Sequence, residues 1–218
     1  MLKAVVFDMD GVLFDSMPYH ADAWAAVFAD VGINITREDI YKIEGSNNIG
    51  VIKLIFEKAG RIPKAEDFSK LSEKKKEIFL KINRVKVFNG IYDCIDLLKN
   101  KCLLGVVSGS DKSVVKELIE RCFPDTFSVI VTGSDIKEGK PSPEPYLKAV
   151  ETLKARKDEC IVVENAPLGV ESAKRAGLYC IAIPTYVDQG LLKKADIILP
   201  DHTKLKEFFK DVIKSKDY

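Results

Sequence analysis

Five short apolar runs, at residues 4–7, 103–107, 128–131, 160–163 and 180–183, are rich in Val and Ile and close on polar or Gly-containing segments. Runs of that length, apolar without alternation, read as strands buried on both faces. Helix-like stretches lie between them. Asp111 stands where it caps a helix running to about residue 120, Ser142 or Pro143 opens another to about 153, and Pro167 suits the first turn of a third that ends near Gly177. Strand and helix in alternation predict an α/β fold with a doubly wound, mostly parallel, Rossmann-like sheet. A sixth run at 196–199 reads as an edge strand, and 205–213 as a closing amphipathic helix.

The alternation breaks once. From about residue 16 to 84 no strand pattern occurs, only helical periodicity over 19–31, 36–43, 49–59 and 65–82. This stretch predicts an all-helical cap domain (16–86) inserted into a core domain made of 1–15 and 87–218. An insertion directly behind the first strand sits over the carboxyl ends of the sheet, where open α/β folds bind ligands.

Composition excludes several classes of partner. With 34 Lys and Arg against 33 Asp and Glu in 218 residues, the chain carries no basic excess for nucleic acid or an anionic membrane. No run approaches the roughly 20 apolar residues of a membrane span. The apolar stretch at 4–7 is too short for the core of a signal peptide, so the expectation is a cytoplasmic protein, and its modest size makes a monomer the default. The five cysteines are odd in number and never form a CxxC pair, which fits free thiols. Two histidines, His20 and His202, exclude a multi-histidine metal site.

Four segments carry chemistry, each at a strand end or beside one. In Val5-Val6-Phe7-Asp8-Met9-Asp10-Gly11-Val12, two carboxylates stand at i and i+2 where an apolar strand stops. Strand alternation points both to one side unless a turn at Gly11 splays them. Close carboxylates destabilise each other unless a cation neutralises them or one is protonated. A solvated strand end remains open on these residues alone; a calcium loop needs further oxygen ligands, and Val12-Leu13-Phe14 offers none. Ser108-Gly109-Ser110 brings a hydroxyl and flexible backbone N–H groups to a strand terminus, suited to phosphate oxygens and equally to an ordinary helix cap. Lys140 precedes two prolines that stiffen its segment and fix its point charge. Glu164 and Asn165 close the fourth run, with helix capping as their alternative.

In this order the segments resemble the haloacid dehalogenase superfamily along essentially the whole chain. FDMDGVLFDS is similar to its DxDGxhxDS motif, VVSGS to its Ser/Thr motif, KPSPEPY to its Lys motif and VVENAPLGVESAKRAG to its acidic motif. Tyr19-His20-Ala21-Asp22-Ala23-Trp24 adds a likeness to the β-phosphoglucomutase-like subgroup. The resemblance implies that Asp8 is the nucleophile and forms an aspartyl-phosphate, that Asp10 is general acid and base, and that Ser108, Gly109 and Lys140 hold the phosphate. It implies Mg²⁺ as cofactor, with Asp8, Asp10 through its carbonyl, Glu164 and Asn165 as ligands. Asn165 departs from the family's usual aspartate and leaves the shell one charge short.

The resemblance leaves two reactions, since a phosphatase uses water where a mutase excludes it. β-Phosphoglucomutases carry an arginine in the cap loop shortly after a Gly; here Glu44-Gly45-Ser46-Asn47-Asn48 has none, and Glu44 would repel a distal phosphate. The expectation is therefore a Mg²⁺-dependent phosphatase of a small phosphorylated metabolite, a sugar phosphate or phosphoglycolate-like compound, with a mutase as the alternative. A protein that binds phosphate without turning it over is a third reading. His20, Gly45, Ser46 and Asn47 are the substrate candidates of the cap. Trp24, on the same helical face as His20, is expected to pack inside it.

Overall fold

The computed structural model describes residues 2–215, so Met1 and residues 216–218 of the expected core range lie outside it. In chain order the elements are β1 (Ala4–Asp8), α1 (Met17–Ala29), α2 (Arg37–Tyr41), α3 (Asn48–Lys58), α4 (Ala65–Ile82), α5 (Ile91–Leu98), β2 (Leu103–Val107), α6 (Lys112–Cys122) and β3 (Val129–Val131). They continue with α7 (Glu144–Thr152), β4 (Cys160–Glu164), α8 (Pro167–Arg175), β5 (Tyr179–Ala182), β6 (Ile197–Ile198) and α9 (Lys204–Lys214). The six strands form one sheet in the order β3-β2-β1-β4-β5-β6, and every pairing is parallel.

Successive residues of each inner strand point to opposite faces and fill two cores. Val5, Phe7, Ile161, Val163 and Ile181 pack with α5, α6 and α9. Ala4, Val6, Cys160, Val162 and Cys180 pack with α7 and α8 on the other side. Two covered faces explain why the strands read as continuous apolar runs. Helix α5, which the sequence reading leaves unassigned, turns Ile91, Cys94, Ile95 and Leu98 inward at helical spacing. The sixth strand is shorter than expected, only Ile197–Ile198, because a sheet edge has one partner to support it. All five cysteines are free; Cys94, Cys160 and Cys180 are buried, and Cys102 and Cys122 are half-buried. Among the described residues no helix is long and apolar enough to cross a membrane.

Helices α1 to α4 pack around their own apolar centre, with Trp24 buried and stacked on Phe28 at 5.2 Å. The separation from the sheet is incomplete, because Ala23 and Phe79 join the core beside β1. The chain leaves and rejoins the sheet at one place. Phe14 bridges Val87 in antiparallel sense, the Asp15 amide donates to the Lys86 carbonyl at 2.9 Å, and the Phe88 amide donates to the Leu13 carbonyl at 3.1 Å.

Candidate active site

Register brings the chemistry together. Asp8 pairs with Val107 and Phe7 with Val163, so the chain after β1 lies between Ser108 on one side and Glu164 on the other. This is where the strand order reverses, the crevice in which such sheets bind ligands.

Asp8 faces Lys140. The Lys140 ammonium, 3% exposed, pairs with Asp8 Oδ1 and with Glu164 Oε1 at 2.6 Å, and lies 5.0 Å from the centre of the Tyr146 ring. Burial alone would lower the pKa of Lys140, but Asp8 and Glu164 outweigh it and hold the ammonium charged. Burial raises the Asp8 carboxyl well above its ordinary value against the pull of Lys140, and Glu164 and Asp10 push the same way as burial. The pocket is crowded with negative charge.

Asp10 turns toward the cap, so the pair is splayed at Gly11, which has φ +89°. Asp10 Oδ1 accepts from Ser16 Oγ at 2.6 Å and from His20 Nε2 at 3.0 Å; Oδ2 accepts from Ser108 Oγ at 3.1 Å and Ser110 Oγ at 3.0 Å. Ser16 stands at the N-cap of α1 without capping it, its hydroxyl being spent on Asp10. Behind His20, Lys75 Nζ donates to Nδ1 at 2.7 Å. An ammonium only donates, so Nδ1 accepts and the ring proton sits on Nε2, facing Asp10. Burial pushes Lys75 down to about 8, and burial together with Lys75 keeps His20 neutral. Burial would raise Asp10, yet His20, Ser16 and Lys75 outweigh it and hold that carboxyl well below the usual range.

Glu164 has both oxygens engaged. Oε1 accepts from Lys140 and from Tyr146 at 2.7 Å; Oε2 accepts from the amides of Asn165 at 2.8 Å and Ala166 at 3.1 Å. Its acceptor directions are filled, which makes it an anchor for Lys140 and for the turn into α8 rather than a free ligand. Asn165 Nδ2 donates to Glu44 Oε1 at 2.8 Å, and Asn165 Oδ1 and Glu44 Oε2 have no partner although both are buried. An unpaired buried polar atom costs about 1–3 kcal/mol. Among the described residues no three His, Cys, Asp or Glu side chains gather as a metal cluster. Asn165 Oδ1 is nevertheless a buried oxygen without a partner, just past the end of the strand beside β1, the hard donor chemistry a magnesium ion takes.

The cap loop rests on bare glycines. A Cβ on Gly109 would lie 2.6 Å from the Ser46 carbonyl oxygen, one on Gly139 3.0 Å from Asn47 Cγ, and one on Gly45 3.1 Å from Lys140 Cδ. Of the cap candidates, His20 reaches Asp10, while Gly45 and Ser46 line a small cavity of about 40 Å³ between cap and sheet. Asn47 does not line it: its Oδ1 caps α3, accepting from the Gly50 amide at 2.9 Å, and Asn48 takes its place. Asn48 Nδ2 donates to Asp111 Oδ2 at 3.0 Å, and the Asp111 side chain therefore does not cap α6 as expected. Adding one methyl group at Gly109 should lift the loop. For Gly109→Ala we expect faster hydrogen exchange at the amides of residues 44–47 while the sheet stays protected; unchanged exchange there would show that the loop does not sit on Gly109.

Lys75, Ser110 and Glu44 are functional-site groups that the sequence motifs do not assign. For Lys75 a signal exists: it stands between Leu71 and Phe79 on the buried stripe of α4, a charge at an apolar position.

A parallel α/β sheet with buried carboxylates and a lysine at its carboxyl edge, closed by a helical insertion, defines a class of capped hydrolases. The family model for haloacid dehalogenase-like hydrolases matches residues 5–183, and the chain belongs to that family, in its β-phosphoglucomutase-like subgroup. It is 28% identical over 218 residues to the phosphorylated carbohydrates phosphatase of Thermotoga maritima, covering 97% of this chain and 100% of that one. It is 26% identical over 188 residues to the beta-phosphoglucomutase of Bacillus subtilis, covering 84% and 83%. A solved structure from Bacteroides vulgatus is similar with a TM-score of 0.92 at 31% identity, covering 100% of this chain and 91% of that one.

Proposed function

We propose that this protein is a Mg²⁺-dependent phosphatase that hydrolyses a small phosphorylated metabolite, a sugar phosphate or phosphoglycolate-like compound, through an aspartyl-phosphate on Asp8. Asp8 Oδ attacks phosphorus, and the ester P–O bond breaks as Asp10 delivers a proton to the leaving oxygen. Water then attacks the phosphoryl group, Asp10 takes a proton from it, and phosphate leaves with Asp8 restored. His20, Ser16 and Lys75 hold Asp10 ionised; the negative charge of an arriving phosphate raises its proton affinity. Ser108, Ser110 and the backbone at Gly109 accompany the phosphate oxygens, and Lys140 balances their charge. The Asp8 carboxylate, the Asp10 carbonyl and Asn165 Oδ1 would hold the magnesium ion, which when bound neutralises charge on the phosphoryl oxygens. Residues 16–86 act as the lid: ligand pockets usually span about 300–1,000 Å³, so the cavity of about 40 Å³ admits substrate only when the lid lifts.

The observation that carries hydrolysis over transfer is the groove leading to this cavity. About 310 Å³ in volume, it shares Asn48, Gly109 and Ser110 with the cavity and runs past Asn47, Ser69, Ser72 and Ser134, and no Lys or Arg lines it. Its amides and hydroxyls, set beside the apolar Ile49 and Phe68, suit an uncharged leaving group, whereas Asp111 in the same wall disfavours a second phosphate. One observation favours a mutase: the chain from Lys75 through His20 to Asp10 couples the acid and base group to a closed cap, as transfer between sugars requires.

The test is phosphate release from p-nitrophenyl phosphate, phosphoglycolate and hexose phosphates. We expect release in Mg²⁺ and at least a tenfold loss in EDTA, with product analysis on β-glucose 1-phosphate. Glucose 6-phosphate without free phosphate would replace hydrolysis by transfer.

A further inference from the structure

Buried acidic side chains outnumber buried basic ones among the described residues. Among the described residues, buried Asp and Glu side chains are Asp8, Asp10, Glu44 and Glu164, and the buried Lys and Arg side chains are Lys75 and Lys140 alone. Four acidic side chains and two lysines are thus buried, the acids in excess.

Glu44 is the member least explained by the phosphatase reading. It comes from the cap, is 4% exposed, lines the cavity with Asp8 and Asp10, and reaches Asn165 just past the end of β4. Its Oε1 accepts from Asn165 Nδ2 at 2.8 Å. With its nitrogen turned to Glu44, the amide leaves Asn165 Oδ1 unpaired. Glu44 Oε2 is unpaired as well; these are the two unpartnered buried side-chain polar atoms among the described residues. Two adjacent groups each left with a free acceptor cannot satisfy one another. They require a shared donor or a cation.

Gly11 leaves room for the pair. A Cβ there would fall 2.1 Å from Asn165 Nδ2 and 2.8 Å from Glu44 Oε1. Its carbonyl is fixed by Thr185 Oγ1 at 2.7 Å and His202 Nε2 at 3.0 Å, so the backbone beside Asp10 stays in place under the two side chains.

We propose that Glu44 supplies from the cap the carboxylate that position 165 lacks, so that Glu44 and Asn165 share one hard divalent cation across the interface between lid and sheet. The proposal rests on the metal-dependent reading above. Cation binding and lid closure then become one equilibrium: the cation binds the closed form more tightly than the open one, and closing the lid completes its ligand set. A cation ligated only by the sheet would leave the lid free to move.

The experiment is calorimetric titration of the full chain with Mg²⁺, with Mn²⁺ uptake followed by electron paramagnetic resonance, on wild type, Glu44→Gln, Asn165→Asp and the double variant. We expect Glu44→Gln to weaken Mg²⁺ binding at least tenfold, and Asn165→Asp to restore most of that loss in the Glu44→Gln background, because it returns the carboxylate to the sheet. Binding by Glu44→Gln within twofold of wild type, or failure of Asn165→Asp to restore it, overturns the proposal while metal dependence stands. Uptake of neither Mg²⁺ nor Mn²⁺ by wild type overturns the metal-dependent reading itself, and this proposal with it. A measurement on wild type alone completes the set: Mg²⁺ should slow hydrogen exchange at residues 44–47 at least threefold. Uptake of Mg²⁺ with no change there overturns the shared site even if a variant fails to fold.

Discussion

Asp8→Asn should leave a folded protein that releases no measurable phosphate from any ester the wild type accepts. Asparagine keeps the shape of the side chain at the end of β1, and its amide oxygen still accepts from Lys140. It lacks the negative charge that makes the carboxylate a nucleophile. Loss of a group that forms a covalent intermediate typically lowers turnover on the order of 10⁴-fold or more. Stability should not follow activity down, because the substitution removes one carboxylate from a crowded buried set and leaves Lys140 its Glu164 partner. Circular dichroism should give a thermal midpoint no lower than wild type, beside an absent phosphate signal at saturating Mg²⁺. Quenching the wild type during turnover should place a phosphoryl group on the peptide containing Asp8. Activity within tenfold of wild type would mean that another group attacks phosphorus.

The second large effect comes from a glycine whose helix would prefer alanine. In a helix interior Ala is favoured over Gly by about 1 kcal/mol, and Gly169 lies within α8. Its missing Cβ is where Glu164 lives: a methyl group there would stand 1.7 Å from Glu164 Oε1 and 2.0 Å from Cδ. Gly169→Ala must expel a carboxylate that takes four hydrogen bonds and half of the Lys140 ion pair. Breaking one side of a buried pair costs about 3–5 kcal/mol. The net loss should be about 3 kcal/mol, which at about 2–4 °C per kcal/mol for a chain of this size lowers the thermal midpoint by about 6–12 °C. Phosphate release should fall with it, since Lys140 loses one of its two anchors. A midpoint at or above that of wild type would show that helix propensity prevails and that Glu164 has room to move.

The sheet was legible because each inner strand is covered on both faces, which writes uninterrupted Val and Ile into the chain. The four insertion helices were legible from their periodicity. Asp8, Asp10, Ser108, Lys140 and Glu164 were legible because they fall at strand ends or in stiffened loops, and the strand register then gathers them. Other parts leave no such trace. Lys75 is the middle of three consecutive lysines, and only its place between Leu71 and Phe79 marks it as buried. Glu44 looked like a charge facing substrate; three-dimensional packing turns it to Asn165, a residue remote in sequence. The glycines under the cap loop are the hardest to read. An absent side chain does not announce which backbone comes to occupy the space.

The hydrogen-bonded step formed by Phe14, Asp15, Lys86 and Val87 has a consequence for how such a protein can be rebuilt. Because the chain departs and returns at one point, the ends of the proposed lid, residues 16–86, are already adjacent, and the sheet's strand pairings do not pass through it. A different helical module could be spliced at the same two peptide bonds without altering the strand register that gathers Asp8, Ser108 and Glu164. The replacement would need apolar groups where Ala23 and Phe79 now complete the core beside β1. It would also need a backbone able to lie on Gly109 and Gly139. Beyond these, a working lid would have to return the hydrogen bonds that Ser16 and His20 give Asp10 and that Glu44 takes from Asn165.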